Sequence, residues 1–259
     1  MKLTVETSEV LTRREGGILV ITLNRPTAHN AVTQSMSVAL AAAIDLLDGH
    51  DELSVGILTG SGASFCSGMD LKSFLKGEVP EVPGRGFGGF TQLPPVKPMI
   101  AAVEGYALAG GFELALACDL IVAAESAQFG LPEVRRGLIA GSGGLLRLGK
   151  RMPLNVAMEY VLTGRNLPAA EAERWGLVNR LTPAGESLAT ALELAREICR
   201  NAPLAISESK RIMTASPDWP EAERWDRQEQ ALRAIFATAD AAEGASAFAE
   251  KRAPLFRGR

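Results

Sequence analysis

The sequence of 259 residues contains little of what several classes of protein need. Its three cysteines, Cys66, Cys118 and Cys199, are too few and too scattered for a disulfide framework. We interpret them as small buried side chains in a protein of a reducing compartment. The only two histidines, His29 and His50, belong to no His/Cys cluster. A zinc site is therefore not expected, and a Ser-His-Asp triad would have to use one of these two residues.

Neither a large charge excess nor a long apolar run is present. The formal net charge is −3 and the sequence pI is about 5.6, so the composition has no basic footprint for nucleic acid. No stretch approaches the roughly 18 apolar residues that span a bilayer. The first residues also lack the charged and then apolar pattern of a signal peptide. We expect a soluble, cytoplasmic protein that binds neither nucleic acid nor membrane.

The glycine-rich sequences do not match nucleotide-binding loops. Gly60-Ser61-Gly62 follows an apolar run, but Phe65 stands where the dinucleotide fingerprint needs its third glycine. No Gly-Lys-Ser or Gly-Lys-Thr sequence supports a phosphate-binding loop. We therefore expect neither NAD nor a nucleoside triphosphate as a cofactor.

What the sequence does contain is a series of short apolar runs separated by helical patterns. Residues 3–24 predict a β-hairpin, and Thr33 is predicted to cap a helix that continues to about Leu47. Further strands are predicted at residues 55–60, 99–103 and 120–124. Short apolar strands alternating with helices indicate βαβ units around a buried sheet, and so an α/β fold.

The second half of the sequence is mainly helical in pattern. Helical segments are predicted at 143–151, 154–163, 168–175, 185–201, 203–215 and 220–252, with a short strand at 176–178. We predict an α/β core domain over residues 1–200 and a helical C-terminal region over residues 201–259. Residues 77–98, rich in glycine and proline, are predicted to lack regular structure and to form a mobile loop that covers the substrate.

Two glutamates in apolar surroundings are the strongest functional signal. Glu113 follows Gly110-Gly111-Phe112, and Glu133 follows Gly130-Leu131-Pro132. A buried carboxylate costs several kcal/mol unless it is paired or protonated, and paired carboxyls in a dry pocket can divide acid and base work. The alternatives are structural: Glu113 would cap helix amides, and Glu133 would pair with Arg135 or Arg136.

Each of two glycine turns is predicted to lead into a helix. They lie in Ser64-Phe65-Cys66-Ser67-Gly68-Met69-Asp70-Leu71 and in Ala109-Gly110-Gly111-Phe112-Glu113. Amides at a helix N-terminus have no intrahelical partner, and glycine allows a substrate carbonyl to approach them closely. Two such turns that face each other would form an oxyanion hole. Alternatively, each glycine only makes a tight turn.

These motifs together resemble those of the enoyl-CoA hydratase/isomerase (crotonase) superfamily. The similarity extends from Asn24-Arg25-Pro26 through the blocks above and Gly143-Gly144-Leu145 to Ala247-Phe248-Ala249-Glu250-Lys251-Arg252. The resemblance implies a spiral of ββα units, a helical C-terminal region used in trimer formation, and often a dimer of trimers. It also implies an acyl-CoA thioester as substrate, with no separate cofactor and no metal.

The resemblance also implies roles for particular residues. The backbone amides of Met69 and Gly110 match the two oxyanion donors. Glu113 and Glu133 match the acid/base pair of the hydratases, and we favour Glu133 as the protonated donor and Glu113 as the base. Residues that match substrate and CoA contacts are Arg25, Ala28, Cys66, Ser67, Gly68, Asp70, Leu71, Phe248 and Lys251. For Asp70, a helix cap is the alternative role.

The presence of both glutamates favours addition of water across the double bond of a 2-enoyl-CoA. Another crotonase reaction, such as double-bond isomerisation, remains an alternative. The segment Arg135-Arg136-Gly137-Leu138-Ile139-Ala140-Gly141-Ser142 resembles the crotonobetainyl-CoA hydratase-like branch. A non-catalytic acyl-CoA-binding protein is the alternative from another class. We further expect Arg147 to form a structural ion pair and Ala109, where relatives carry a third glycine, to be harmless.

Overall fold

The computed structural model describes residues 7–259. The strands are β1 (Val10–Glu15), β2 (Ile18–Leu23), β3 (Val55–Gly60), β4 (Glu81–Val82), β5 (Gly86–Phe87), β6 (Met99–Val103), β7 (Tyr106–Leu108), β8 (Leu120–Ala124), β9 (Gln128–Gly130), β10 (Leu167–Pro168) and β11 (Arg180–Thr182). The helices are α1 (Gln34–Gly49), α2 (Leu71–Phe74), α3 (Gly110–Ala117), α4 (Gly144–Arg151), α5 (Leu154–Thr163), α6 (Ala169–Arg174), α7 (Ser187–Cys199), α8 (Pro203–Ala215), α9 (Arg224–Phe236) and α10 (Ala239–Glu250). Short 3-10 helices lie at Pro26–Ala28, Pro132–Arg136, Ser216–Asp218 and Glu221–Glu223.

A six-stranded sheet in the order β1-β2-β3-β6-β8-β11 forms the centre of the fold. The β1–β2 hairpin is antiparallel, and every other pairing in this sheet is parallel. Strands β3, β6 and β8 are apolar over almost their whole length because both faces of the sheet are covered. The predicted bounds of these three strands and the α/β class are confirmed.

Apolar side chains cover the two faces of the sheet in separate clusters. On one face, α1 and α3 cover the sheet. The packing of α1 is so close that a Cβ on Gly56 of β3 would lie 2.7 Å from the Leu47 side chain of α1. On the other face, α7 contributes Ala191, Leu192 and Ala195 to a cluster with strand residues. The hydroxyl of Thr33 accepts a hydrogen bond from the Met36 amide at the start of α1, which confirms the predicted cap.

A second, smaller sheet in the order β10-β9-β7 places the two glutamates together. Strands β7 and β9 are parallel, with Leu108 opposite Gly130. The chain leaves β7 into α3, which carries Glu113, and leaves β9 into the 3-10 helix that carries Glu133. The ends of parallel strands lie at the same edge of a sheet, so both glutamates start from neighbouring positions.

Residues 77–98 differ from the sequence prediction, because they contain the short hairpin β4–β5 and are tied to α1. The Ser37 hydroxyl donates to the Pro80 carbonyl (2.7 Å), and Asp48 accepts from the amides of Val96 (2.9 Å) and Lys97 (3.1 Å). These bonds leave the segment held against the core rather than free of it.

Two further predicted elements differ from those in the structure, and part of a third lies outside residues 7–259. Residues 176–178 form no strand, and the strand lies instead at Arg180–Thr182, where β11 pairs with β8. The predicted segment 220–252 is broken into α9 and α10 at residues 237–238, where Thr238 caps α10. The first residues of the predicted hairpin, 3–6, lie outside the described residues.

Within residues 7–259 no helix is both long and apolar enough to cross a membrane.

Candidate active site

A cavity of about 370 Å³ lies where the ends of β7 and β9 meet the turn after Cys66. Both predicted glutamates and both predicted glycine turns contribute to its wall, and most of the other lining side chains are apolar. The lining residues are Ser67, Met69, Leu71, Val79, Pro80, Glu81, Phe87, Leu108, Ala109, Gly110, Glu113, Pro132, Glu133, Arg136, Leu138, Ile139, Gly141 and Ser142. A volume of this size is within the range of small-molecule sites.

Glu113 lies in the first turn of α3 and is 2 % exposed. Its Oε1 accepts two backbone hydrogen bonds, from the amides of Ser142 (2.7 Å) and Gly144 (2.9 Å). Burial holds the pKa of this carboxyl above its ordinary value, although the two amides and the nearby charge of Arg147 act to lower it. Gly144 begins α4, so the structural alternative, in which Glu113 caps helix amides, is also seen in the geometry.

The Glu133 carboxyl has fewer hydrogen-bond donors around it than the Glu113 carboxyl. Its Oε2 is buried, and it has no hydrogen-bond partner within the described chain. Burial raises the pKa of Glu133, and the neighbouring charge of Glu113 raises it further, while the backbone amide of Glu133 itself and the charge of Arg136 act in the opposite direction. Among residues 7–259 no ion pair within 4 Å involves Glu133, so the predicted alternative of a pair with Arg135 or Arg136 is wrong. Arg135 instead donates to the Thr163 carbonyl (3.3 Å).

The two glycine turns lie against each other at the cavity wall. Gly68 has a φ of +100°, and a Cβ at this position would lie 3.1 Å from the Gly110 nitrogen. Gly110 is the first residue of α3, so its amide has no carbonyl partner inside the helix. The Met69 amide donates no hydrogen bond to any residue that the structure describes. Two amides without partners therefore border the same cavity as the two carboxyls.

Ala109, which joins β7 to α3, has an unfavourable backbone conformation. Its φ is +49° and its ψ is −127°, in a region that normally requires glycine. The Ala109 amide donates to the Gly130 carbonyl (2.8 Å), and its carbonyl accepts from the Glu113 amide (3.0 Å). These bonds hold the conformation in place and direct the Gly110 amide outward from the start of the helix.

Comparison with known proteins agrees with the resemblance stated from the motifs. Residues 13–259 match the family model described as enoyl-CoA hydratase/isomerase. The chain belongs to the enoyl-CoA hydratase/isomerase family.

Curated and solved members of this family match the chain over nearly its whole length. Carnitinyl-CoA dehydratase of Salmonella typhi is 46 % identical over 255 residues, which are 95 % of this chain and 97 % of that protein. The structure of an enoyl-CoA hydratase from Mycobacterium marinum has a TM-score of 0.96 and 56 % identity, covering 98 % of this chain and all of the other. The structure of carnitinyl-CoA hydratase from Mycobacterium avium has a TM-score of 0.78 and 42 % identity, over 98 % and 100 % of the two chains. The predicted crotonase fold is confirmed.

The residues of this hydratase/isomerase family member that were predicted to contact the substrate or CoA fall into four groups. Ser67 and Leu71 line the cavity, and Gly68 lies beneath its wall. Phe248 and Lys251, at the end of α10, are exposed and are not part of the cavity. Their predicted contacts with the substrate remain predictions.

The third group is engaged in structural bonds. Arg25 forms ion pairs with Glu9 (3.0 Å) and Asp70 (2.8 Å). Asp70 also caps α2, because its Oδ1 accepts from the amides of Lys72 and Ser73, so the alternative role predicted for it is confirmed. Burial raises the pKa of Asp70, but its bonds with Arg25 and the two amides leave that pKa below its ordinary value.

Cys66 and Ala28 also lie outside the cavity lining. The Cys66 side chain is fully buried and donates to the Asn30 carbonyl (3.1 Å), and burial raises the pKa of its thiol to about 12. This thiol therefore cannot contact a substrate in the cavity. Ala28 ends the 3-10 helix Pro26–Ala28 and is half-buried.

Several cavity residues of this hydratase/isomerase family member were not predicted as site residues. Phe87 reaches the cavity from β5, and its ring would lie 2.5 Å from a Cβ on Gly110. Leu138 and Ile139 contribute apolar side chains that are 56 % and 74 % exposed. The adjacent apolar pair shortly after Glu133 was a signal for a lining segment, and Phe87 belongs to residues 77–98, the segment that was predicted to cover the substrate.

Proposed function

We propose that this chain adds water across the double bond of a 2-enoyl-CoA thioester. The observation that carries the proposal is that one cavity is bordered by two carboxyls and by two main-chain amides without partners. An oxyanion needs paired N–H donors, and the water needs acid/base groups within reach. A protein that only binds acyl-CoA gains nothing from two acids in its pocket.

In the proposed mechanism, the thioester oxygen accepts hydrogen bonds from the amides of Met69 and Gly110. Negative charge develops on this oxygen when water attacks the β-carbon, so these donors bind the enolate-like transition state more strongly than the substrate. Gly68 permits the close approach of the two turns because a side chain there would contact the Gly110 nitrogen.

The environments of the two glutamates support different protonation states. Burial raises the pKa of both carboxyls, but Glu113 accepts two amide hydrogen bonds, which favour its ionised form. Glu133 has a buried oxygen without a donor and faces the charge of Glu113, which favours its protonated form. We assign Glu113 as the base that accepts a proton from water and Glu133 as the acid that gives a proton to the α-carbon.

Atoms balance over one such cycle. Water supplies OH to the β-carbon and a proton to Glu113, while Glu133 supplies the α-proton. The proton left on Glu113 must then return to Glu133, through the next water or through solvent, before another turnover. No redox cofactor or metal ion is required by this sequence of steps. Within the described residues no group of three or more His, Cys, Asp or Glu side chains is arranged to hold a metal ion.

A second candidate is the hydration or dehydration of a carnitine-related acyl-CoA. It is favoured by the name of the 46 % identical curated relatives, carnitinyl-CoA dehydratase, and by the carboxylate-bearing Glu81 on the cavity wall. The chemistry at the two carboxyls would be the same, and only the acyl group would differ. Double-bond isomerisation of an enoyl-CoA is a further alternative because it passes through the same thioester enolate.

The test is a comparison of acyl-CoA substrates with the purified protein. Crotonyl-CoA should lose its enoyl absorbance as it is hydrated, and a panel varied in length, branching and charge should rank the acyl groups. A clear preference for crotonobetainyl-CoA would select the second candidate. Solvent-deuterium incorporation without loss of enoyl absorbance would indicate isomerase-type enolate chemistry, and binding without either change would leave only an acyl-CoA-binding protein.

We also propose that the protein assembles as a trimer or a dimer of trimers through its C-terminal helices. Large apolar side chains there are open to solvent in the single chain: Met213 and Trp225 are both 78 % exposed, and Phe236 is 71 % exposed. Exposed apolar groups of this kind commonly mark a protein interface. Light scattering on the eluted protein tests this, and a monomeric mass at micromolar concentration would contradict it.

A further inference from the structure

The turn at residues 142–144 holds Glu113 in place. The amides on either side of Gly143 both donate to the same carboxylate oxygen, Oε1 of Glu113. They can do so because Gly143 has a φ of +99°, a conformation that side chains rarely adopt. Whatever fixes this turn therefore fixes the orientation of Glu113.

Arg147 is the side chain that lies against this turn. A Cβ on Gly143 would collide with Nη1 of Arg147, so the guanidinium occupies the space beside the glycine. Its Nη2 donates to the Thr91 carbonyl (2.5 Å), and its backbone amide donates to the Gly143 carbonyl (3.0 Å). Among residues 7–259 no carboxylate forms an ion pair with Arg147, so the predicted structural ion pair is wrong.

The bond to Thr91 extends the connection to the oxyanion side of the cavity. The Thr91 amide donates to the Phe87 carbonyl (3.3 Å), and the Phe87 ring packs against Gly110. Arg147 thus bridges the turn that binds Glu113 and the segment that packs on the proposed oxyanion donor. Thr91 is itself buried, which makes the bridge an internal one.

We propose that Arg147 is a positioning residue for the Glu113 base: its guanidinium fills the space beside Gly143, binds the Thr91 carbonyl, and so keeps both amides directed at the carboxylate. The inference rests on the proposed acid/base function of Glu113. It assigns to a half-buried arginine, which forms no ion pair within residues 7–259, a role in catalysis that acts through another residue.

The charge of Arg147 supports the same role. Arg147 is one of the groups that oppose the effect of burial on the pKa of Glu113. The other charged residues that line the cavity with Glu113 are Glu133, Arg136 and Glu81. Arg147 is itself near Arg151 of the same helix. Loss of the guanidinium should therefore move the pKa of Glu113 upward.

Arg151 provides a matched control. It lies one turn later on α4, is half-buried like Arg147, and also donates through Nη2 to a backbone carbonyl, that of Cys118. Like Arg147, it has no ion pair within the described chain. It does not contact the 142–144 turn, and it is not among the charges that act on Glu113. Arg147→Met and Arg151→Met thus remove equivalent groups that differ in their relation to Glu113.

The experiment measures kcat, KM and the pH dependence of kcat/KM for both methionine variants and for Arg147→Lys on the best enoyl-CoA substrate. We expect Arg147→Met to lower kcat at least about tenfold with little change in KM, because a misplaced catalytic group costs rate rather than binding. Its acidic limb should move to higher pH. Arg147→Lys should restore the position of that limb, and Arg151→Met should leave it unchanged.

A second readout does not depend on turnover. The carboxyl of Glu113 is titrated by carbon-13 NMR in the wild type and in both methionine variants, with Glu113→Gln used for assignment. A higher pKa in Arg147→Met than in Arg151→Met supports the proposal, and equal values in the two variants overturn it. If Glu113→Gln and Glu133→Gln retain full activity, the proposed function fails, yet this titration still decides whether Arg147 positions Glu113.

Discussion

Replacing Ala109 by glycine should stabilise the protein, which is the reverse of the effect of glycine at most helix and strand positions. Ala109 has φ +49° and ψ −127°, and a side chain in such a region costs about 1–3 kcal/mol. Glycine removes this strain but adds roughly 0.4–1 kcal/mol of conformational entropy to the unfolded chain. The difference predicts a gain of about 0.5–2 kcal/mol in the free energy of unfolding.

The control is Ala115→Gly on the same α3. Ala115 is fully buried and has an ordinary helical conformation, so glycine there should cost about 1 kcal/mol. Both variants and the wild type are unfolded thermally and in urea at one protein concentration, because assembly affects the apparent stability. A change of 1 kcal/mol corresponds to about 2–4 °C in a chain of this size. If Ala109→Gly is as destabilising as Ala115→Gly, the assigned strain does not exist.

Two further predictions concern stability. Asp70→Ala removes the cap of α2 and a partner of Arg25, so it should lower the free energy of unfolding in urea at neutral pH by about 1–2 kcal/mol. Asp70→Asn keeps a capping oxygen and should lower it less. Equal losses of stability in the two variants would contradict the capping role. Glu133→Gln should stabilise the protein increasingly as the pH rises from the ordinary glutamate value of 4.5 towards neutrality. The sign follows because burial and Glu113 raise the folded-state pKa, so the ionised carboxyl costs stability only at the higher pH. Urea unfolding of the wild type and of Glu133→Gln at pH 4.5 and at neutral pH checks this. A difference in stability between the two proteins that does not change with pH would contradict it.

The buried strands could be predicted from sequence because both of their faces are apolar. The bounds of β3, β6 and β8 follow directly from continuous apolar runs. The edge strand β11 could not be found in the same way. Its most apolar neighbours, Leu177 and Val178, are buried in the core without forming a strand, whereas Arg180 pairs at the sheet edge.

Parts of the candidate site were equally accessible to sequence reasoning. Glu113 and Gly110 are close in the chain, so one motif contained both, and the glycine turn before Met69 was visible locally. The contribution of Phe87 depends on how residues 77–98 dock against α1, which is a tertiary effect. The strain at Ala109 was also missed, because the expectation that alanine is harmless there ignored the backbone conformation that the turn imposes.

The Gly110→Pro substitution would remove one of the two main-chain amides that we propose as oxyanion donors. In the folded protein, a Cβ at Gly110 would lie 2.5 Å from the Phe87 ring, so the substitution would also displace that ring. Loss of activity in this variant would not distinguish a missing donor from a distorted cavity.

The central claim is tested most directly by Glu113→Gln and Glu133→Gln assayed with an enoyl-CoA substrate. Glutamine at position 113 keeps an oxygen that can accept from Ser142 and Gly144, so the fold of the turn is retained while the base is lost. We predict that each substitution lowers the rate of hydration at least about a hundredfold, the low end for acid/base groups. Near-wild-type hydration rates in both variants would contradict the account.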